Sequence, residues 1–125
     1  MVKSWFLKLS KGKLYEDKAV DYLMKNGYKL ISRNYSCKFG EIDAILFKNK
    51  EIIIVEIKGG KEFPPPFFRI NKNKLKKIIL TFELYINENP KISYETVRFD
   101  VVSVTSSGSS SDFEFTHFKN VLSDL

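Results

Sequence analysis

Two apolar segments joined by four mostly charged residues constrain the fold of this chain more than any other feature. The segments are residues 41–47 and 52–58, and Asn49 lies in the connection between them. Two such segments around a short polar turn predict a β-hairpin. Large apolar residues occupy both odd and even positions of each segment. Because both faces of both strands are apolar, we expect the hairpin in the middle of a sheet covered on two sides.

The other periodic segments predict the partners that such a hairpin needs. Helical spacing of apolar residues predicts helices from about residue 12 to 26 and from 71 to about 87. Strands are predicted at residues 28–35, 96–105 and 113–118. The expected fold is therefore mixed α/β, with helices packed on one sheet in the order α-β-β-β-α-β-β.

Apolar residues at helical spacing also predict the buried side of each helix. In the first helix they are Tyr15, Ala19, Tyr22 and Leu23. In the second they are Leu75, Ile78, Ile79, Phe82 and Ile86.

The length of 125 residues and an apolar content of 43% fit a single domain over residues 1–125. Three segments are expected outside its regular elements: a basic N-terminal segment at 1–11, a Gly/Pro-rich loop at 59–70 and a flexible Ser-rich connector at 106–112. No apolar run approaches the roughly 20 residues of a membrane-spanning helix, so we expect no membrane association. Cys37 is the single cysteine. It cannot form an internal disulfide, which is typical of a cytoplasmic protein.

The charge distribution is uneven, although 21 basic against 15 acidic residues give a net charge of only +6. Residues 64–82 contain no acid. The basic residues of that stretch are Arg69, Lys72, Lys74, Lys76 and Lys77. Such a cluster attracts phosphate backbones, which predicts nucleic-acid binding, and the alternative is a solvated helix face.

The hairpin register predicts that acidic residues meet at one end of an apolar face. If the turn centres on Asn49-Lys50, Asp43 faces Glu56 across the two strands, and Glu41 faces Lys58. Directly opposed Cβ atoms lie about 5 Å apart. Two carboxylates at that separation repel each other, and burying them unpaired is costly. Either a lysine at a solvated strand end pairs with each carboxylate, or a divalent cation binds both.

A magnesium site is the more informative of these two interpretations. Mg²⁺ accepts one or two protein carboxylates together with substrate phosphate oxygens, so Asp43 and Glu56 would suffice as its protein ligands. Lys58 would then orient an attacking water or offset charge that develops on the phosphate. Glu16 lies at the edge of the inward face of the first helix and is a third candidate acid. Its alternative role is to complement the helix dipole.

The same residues carry a family resemblance. An acid in the first helix, then Asp43, then Glu56-x-Lys58 resembles the PD-(D/E)XK nuclease superfamily, which has the restriction-endonuclease-like fold. More closely, the chain resembles the YraN-like family of uncharacterised proteins, thought to be related to archaeal-type Holliday junction resolvases. The matching segments are Glu16 to Leu23, Gly27-Tyr28, Arg33 to Tyr35, Gly40 to Ile45, Val55 to Lys58, the helix near Lys74, and Arg98 to Val102.

The resemblance implies a restriction-endonuclease-like mixed sheet flanked by helices, and metal-dependent hydrolysis of DNA phosphodiester bonds, including branched or junction DNA. It implies Asp43, Glu56 and Lys58 as the catalytic core and Glu16 as an accessory acid. Mg²⁺ or Mn²⁺ would be held by Asp43, Glu56 and the backbone carbonyl of Ile57. A homodimer would suit a junction resolvase. The alternatives are a nucleic-acid-binding protein that retains the fold without the chemistry, and a scaffold that binds another protein.

Two positions depart from the family pattern. Tyr15 stands where the family usually has glycine, and Gly59 begins a Gly-Gly pair where Thr-Arg or a similar pair is common. A missing arginine removes a bidentate phosphate contact, so the substrate contacts are expected to differ. Arg98 and Asp100 are interpreted as a structural pair, and His117 as a structural residue.

Overall fold

The computed structural model describes residues 2–60, 72–106 and 112–122, with backbone alone described for 2–11 and 60. Two helices and five strands follow the predicted order. They are α1 (Val2–Lys25), β1 (Lys29–Cys37), β2 (Gly40–Lys48), β3 (Glu51–Gly60), α2 (Lys72–Glu88), β4 (Thr96–Ser106) and β5 (Phe113–Phe118). The prediction of a mixed α/β fold is confirmed.

The five strands form one open sheet in the order β1-β2-β3-β4-β5. Neighbouring strands run antiparallel except β3 and β4, which are parallel. Parallel neighbours require a crossover connection, and α2 lies within it. The hairpin of β2 and β3 therefore occupies the inner part of the sheet, as its two apolar faces predict.

The turn of this hairpin determines the strand register. Asn49 and Lys50 have φ angles of 52° and 63°, which are the two positive values that a type I′ turn requires. The recorded pairs follow the predicted register: Lys48 with Glu51, Phe47 with Ile52, Leu46 with Ile53, Ile45 with Ile54, and Ala44 with Val55.

The two faces of the sheet carry separate hydrophobic cores. On the α1 side the buried residues include Ala19, Leu23, Ala44, Leu46, Ile53, Val55, Val102 and Val104. On the α2 side they include Ile42, Ile45, Ile52, Ile54, Ile78, Phe82, Tyr85, Phe99 and Val101. Consecutive residues of β3 thus alternate between the cores, because successive strand side chains point to opposite faces.

Two element boundaries differ from the prediction. Helix α1 begins at Val2 and not near residue 12, so the N-terminal segment 1–11 is helical from Val2 onward. Lysine and leucine have high helix propensity, so this basic segment continues the helix and does not form a separate unit. Strand β3 continues through Gly59 and Gly60, two residues into the expected loop. Parallel pairing of these glycines with β4 extends the strand despite their weak strand propensity.

The buried side of α2 also differs from the prediction. Ile79 is 47% exposed, whereas Thr81 and Tyr85 are buried together with Ile78. The Thr81 hydroxyl donates to the carbonyl of Lys77 at 2.7 Å, which satisfies its polar group inside the helix. The helix is therefore rotated slightly from the orientation that hydropathy alone predicts.

Buried polar groups join β4 to β5. Asp100 is fully buried and accepts two hydrogen bonds from the Arg98 guanidinium, at 2.8 and 2.9 Å. His117 Nε2 lies 2.6 Å from its Oδ2, and the Asn120 N–H donates to its Oδ1 at 2.8 Å. Burial alone would raise the pKa of Asp100, but the hydrogen bonds from these three residues lower it. Arg98, Asp100 and His117 have the structural contacts that were predicted.

Parts of the two expected flexible segments lie outside the described residues. Ser106 ends β4 and Asp112 directly precedes β5, while 107–111 of the Ser-rich connector are outside the description. The same holds for 61–70 of the Gly/Pro-rich loop. Among the residues that are described, no helix is both long and apolar enough to cross a membrane.

Candidate functional site

The candidate site lies where β2 and β3 stop pairing. The recorded pairs end at Ala44 with Val55, so the predicted pairing of Asp43 with Glu56 is wrong as a ladder pair. Instead, the Asp43 side chain binds the backbone of β3. Its Oδ2 accepts a hydrogen bond of 2.8 Å from the Ile57 N–H. The side chain of Asp43 is thereby held against β3 close to Glu56.

Glu56 carries the ion pairs of the site. Lys58, two residues along the same strand, places its Nζ 3.2 Å from Glu56 Oε1. The predicted pairing of Lys58 with Glu41 across the two strands is not among the β2–β3 pairs. A second lysine is closer, since Lys74 from α2 places its Nζ 2.5 Å from the same oxygen. The sequence indicates Lys74 as a phosphate-binding residue, but its place beside Glu56 depends on how α2 packs.

A small cavity of about 50 Å³ connects these groups. It is lined by Glu41, Ile42, Asp43, Ile54, Val55, Glu56, Lys74, Ile78 and Phe99. A single water needs about 10–15 Å³ of such volume, so the cavity has room for a few waters or for an ion with part of its hydration shell. The acids predicted to share one end of the hairpin therefore do face a common space.

The electrostatics of this cavity disfavour negative charge. The pKa of Asp43 is raised from 3.8 to about 6, and burial is the largest cause. The charges of Glu16, Glu56 and Glu41 contribute to this rise, while the hydrogen bond from Ile57 opposes it. A carboxylate in this position gains strongly from a nearby cation.

One buried oxygen of the site has no partner. Oε2 of Glu56 is buried and makes no hydrogen bond, although Oε1 of the same carboxylate contacts two ammonium groups. Buried polar atoms are normally satisfied, so this oxygen is a candidate metal ligand. Together with Asp43 it offers the hard carboxylate donors that Mg²⁺ and Mn²⁺ prefer. Within the described ranges no group of three or more His, Cys, Asp or Glu side chains is placed to hold a metal ion, so Asp43 and Glu56 are considered as a two-carboxylate site.

Glu16 takes part through α1. Its Oε1 lies 3.5 Å from Nη2 of Arg33, while Nη1 of the same guanidinium lies 2.8 Å from Asp17. The charge of Glu16 acts on Asp43, as its contribution to the pKa of Asp43 indicates. Sequence reasoning singled out Glu16 but not its arginine partner, because the pairing depends on how α1 lies across β1.

The predicted basic surface is partly described. Lys72, Lys76 and Lys77 of α2 are exposed, whereas Lys74 is half-buried against Glu56. Arg69 lies outside the described residues. The exposed lysines therefore belong to the same helix that brings Lys74 to the cavity.

The two positions expected to depart from the family pattern, 15 and 59, meet in the fold. A Cβ atom added to Gly59 would lie 2.4–2.5 Å from Cγ and Cβ of Tyr15. A large side chain at position 15 of α1 thus requires glycine at position 59 of β3.

Comparison with known sequences agrees with the resemblance. A model of the Uncharacterised protein family UPF0102 matches residues 15–104. The chain belongs to UPF0102. This match confirms the YraN-like assignment, and the matched region contains Glu16, Asp43, Glu56 and Lys58.

Individual UPF0102 relatives cover most of their own length in these matches. The UPF0102 protein of Petrotoga mobilis is 47% identical over 100 residues, which is 79% of this chain and 89% of the relative. That of Kosmotoga olearia is 39% identical over 116 residues, 92% and 95% of the two chains. That of Persephonella marina is 43% identical over 96 residues, 75% and 82%.

Proposed function

We propose that this UPF0102 protein is a metal-dependent nuclease of the PD-(D/E)XK superfamily that hydrolyses phosphodiester bonds in DNA. The single observation that carries the proposal is the arrangement around Glu56. One of its oxygens is buried without a partner, Asp43 lines the same cavity, and Lys58 lies 3.2 Å from the other oxygen. Two carboxylates and a lysine around a space for a hydrated cation are the groups that phosphodiester hydrolysis uses.

In this proposal Asp43 and Glu56 hold Mg²⁺ or Mn²⁺, with the backbone carbonyl of Ile57 as a further ligand. A metal held by these residues would supply Lewis-acid chemistry, polarising a phosphoryl oxygen and lowering the pKa of a water. Lys58 orients the attacking water and offsets charge on the phosphate. Glu16 adds negative charge to the site, which strengthens cation binding. The Ile57 N–H fixes the orientation of the Asp43 carboxylate.

The substrate contact is proposed for the lysines of α2. Lys72, Lys76 and Lys77 are exposed on the helix that reaches the cavity, and Arg69, which lies outside the described residues, is a further phosphate-binding residue predicted from the sequence. Such contacts hold the phosphate backbone without reading bases, which suits a nuclease that recognises the shape of branched or junction DNA. Symmetric cutting of a four-way junction needs two sites, so a homodimer is expected on that substrate. We expect the protein in the cytoplasm, where a chain with one cysteine needs no disulfide.

The test is a cleavage assay on linear, flapped and four-way DNA with Mg²⁺ or Mn²⁺. We expect cleavage that EDTA abolishes and that Glu56→Gln or Lys58→Met reduces at least about a hundredfold, because each change removes a group that acts directly on the reaction. Glu114→Gln is the matched control, since Glu114 is exposed on β5. Cleavage that persists in both site variants would refute the assignment of these residues.

A second candidate is a nucleic-acid-binding protein without catalysis. The ammonium of Lys74 at 2.5 Å from Glu56 favours it, because a lysine that stays there neutralises the carboxylate without a metal. This candidate predicts DNA binding that depends steeply on salt, is indifferent to EDTA, and produces no cleavage. Titration of Mg²⁺ by calorimetry, with wild type against Asp43→Ala, separates the two candidates.

A further inference from the structure

Glu56 contacts two lysines that differ in how firmly the backbone holds them. Lys58 is two residues away on the same strand, so the pleat of β3 keeps its ammonium near the carboxylate. Lys74 comes from α2, and its side chain reaches across the cavity to Glu56 Oε1 at 2.5 Å. The two side chains are similarly exposed, 46% for Lys58 and 42% for Lys74, so the difference between them is the element that carries each.

We propose that Lys74 is a resident counter-ion of Glu56, that a divalent cation displaces it, and that the displaced ammonium then binds the phosphate backbone of the nucleic acid. The proposal rests on the metal site proposed above and assigns its regulation. It gives Lys74 two alternative partners, a carboxylate in the metal-free protein and a phosphate in the loaded one.

Charge balance requires such an exchange. In the metal-free protein the ammonium groups of Lys58 and Lys74 offset the charge of Glu56. A divalent cation bound by Glu56 and Asp43 would stand next to both ammonium groups, and like charges at this distance repel strongly in a partly buried site. In this proposal Lys74 is the group that moves, because it belongs to α2 whereas Lys58 lies on the same strand as Glu56.

The neighbours of Lys74 indicate where the ammonium would go. Lys72, Lys76 and Lys77 are exposed on the same helix, so the displaced side chain joins an existing basic surface beside the cavity. A phosphate bound there would replace the carboxylate as its partner. Metal binding and nucleic-acid binding would then strengthen each other, and linkage requires this effect to be reciprocal.

The experiment measures metal affinity without DNA. Mn²⁺ and Mg²⁺ are titrated by calorimetry into wild type, Lys74→Met and Lys74→Gln, with Lys74→Arg as the charge-retaining variant and Lys91→Met as the control, since Lys91 is an exposed lysine outside the site and its basic surface. We expect the two neutral variants to bind metal about threefold to tenfold more tightly, the range of a half-exposed ion pair. Lys74→Arg and Lys91→Met should stay within about twofold of wild type.

The second measurement is the affinity for a short duplex DNA by fluorescence anisotropy, with metal and with EDTA. Metal should strengthen DNA binding in wild type, and Lys74→Met should lose most of that increase while its affinity in EDTA changes little. A purely structural role for Lys74 would weaken metal binding in the neutral variants and would not produce this pattern.

The outcomes separate this proposal from the proposed function. If wild type binds metal but the neutral variants bind it no more tightly, the counter-ion role is wrong and the metal site stands. If neither wild type nor the variants bind Mn²⁺ or Mg²⁺, both the counter-ion role and the metal-dependent function are wrong.

Discussion

Replacing Asp43 by asparagine removes a charge that the fold holds unfavourably. The carboxylate lines a small cavity, and burial raises its pKa from 3.8 to about 6. Asparagine has nearly the same shape, and its oxygen can still accept the hydrogen bond from the Ile57 N–H. We therefore expect Asp43→Asn to raise the free energy of unfolding of the metal-free protein at pH 7.5.

The magnitude follows from the pKa. A rise from 3.8 to about 6 is roughly two pKa units, and one unit corresponds to about 1.36 kcal/mol. The upper limit is thus about 3 kcal/mol, and solvent screening at the mouth of the cavity reduces it to about 1–2 kcal/mol.

The pH dependence has a definite sign. A carboxyl group whose pKa is raised by folding contributes stability while it is protonated, below its unfolded value of 3.8. That contribution disappears as the pH rises through about 6. The advantage of Asp43→Asn over wild type should therefore be largest above pH 6 and vanish near pH 4.

Urea unfolding in EDTA at pH 7.5 and pH 4 measures both effects. Asp21→Asn is the control, because Asp21 is exposed on α1 beside Lys25 and its loss should change stability by less than about 0.5 kcal/mol at either pH. Millimolar Mg²⁺ at pH 7.5 should stabilise wild type but not Asp43→Asn. Equal or lower stability of Asp43→Asn at pH 7.5, or a difference that persists unchanged at pH 4, would refute this account of the site.

Two other substitutions test tertiary contacts of the fold. Asp100→Ala leaves Arg98 without its fully buried partner and should lower the free energy of unfolding by about 3 kcal/mol in urea at pH 7. Because folding lowers the pKa of Asp100, its contribution is present above an unfolded value of 3.8 and is lost as the pH falls below it. Gly59→Ala places a Cβ atom 2.4 Å from the Tyr15 side chain and should lower stability by about 1–3 kcal/mol in thermal unfolding. The loss should be smaller in a Tyr15→Gly background, as coupled neighbours require.

Asp100→Ala and Gly59→Ala each have a matched control variant. Glu95→Ala breaks only an exposed pair with Lys50 at 3.7 Å and should change stability by less than about 1 kcal/mol. Gly12→Ala adds a methyl group in open space within α1 and should stabilise by about 0.5–1 kcal/mol. A loss of less than about 1 kcal/mol in Asp100→Ala, or additive effects at positions 15 and 59, would contradict the contacts described above.

Much of the fold follows from local patterns in the sequence. The alternation of apolar residues and the turn at Asn49 and Lys50 specify the hairpin register, which the observed pairs confirm from Lys48 to Ala44. The buried side of α2 is less well predicted. Hydropathy favours burial of Ile79, which is exposed, and not of Thr81, which is buried with its hydroxyl hydrogen-bonded to the Lys77 carbonyl. The N-terminal extent of α1 is not predicted by apolar periodicity, because basic residues are frequent between Val2 and Lys13.

In the candidate site, too, some contacts follow from local sequence patterns and others depend on how the strands and helices pack. Period-two alternation along β3 places Glu56 and Lys58 on one face, and the observed distance of 3.2 Å agrees with this. The hydrogen bond from the Ile57 N–H to the Asp43 carboxylate could not be predicted from local patterns. It requires the regular pairing of β2 and β3 to end next to Asp43.

By itself the sequence determined the order of elements, the register of the central hairpin and the identity of the acids that meet at its open end, because these depend on residues close together in the chain. The tertiary structure alone decided that Lys74 reaches Glu56, that Arg33 pairs with Glu16, and that Tyr15 packs on Gly59. Those contacts join residues far apart in the chain. They depend on how each helix lies across the sheet, which no periodicity in the sequence specifies.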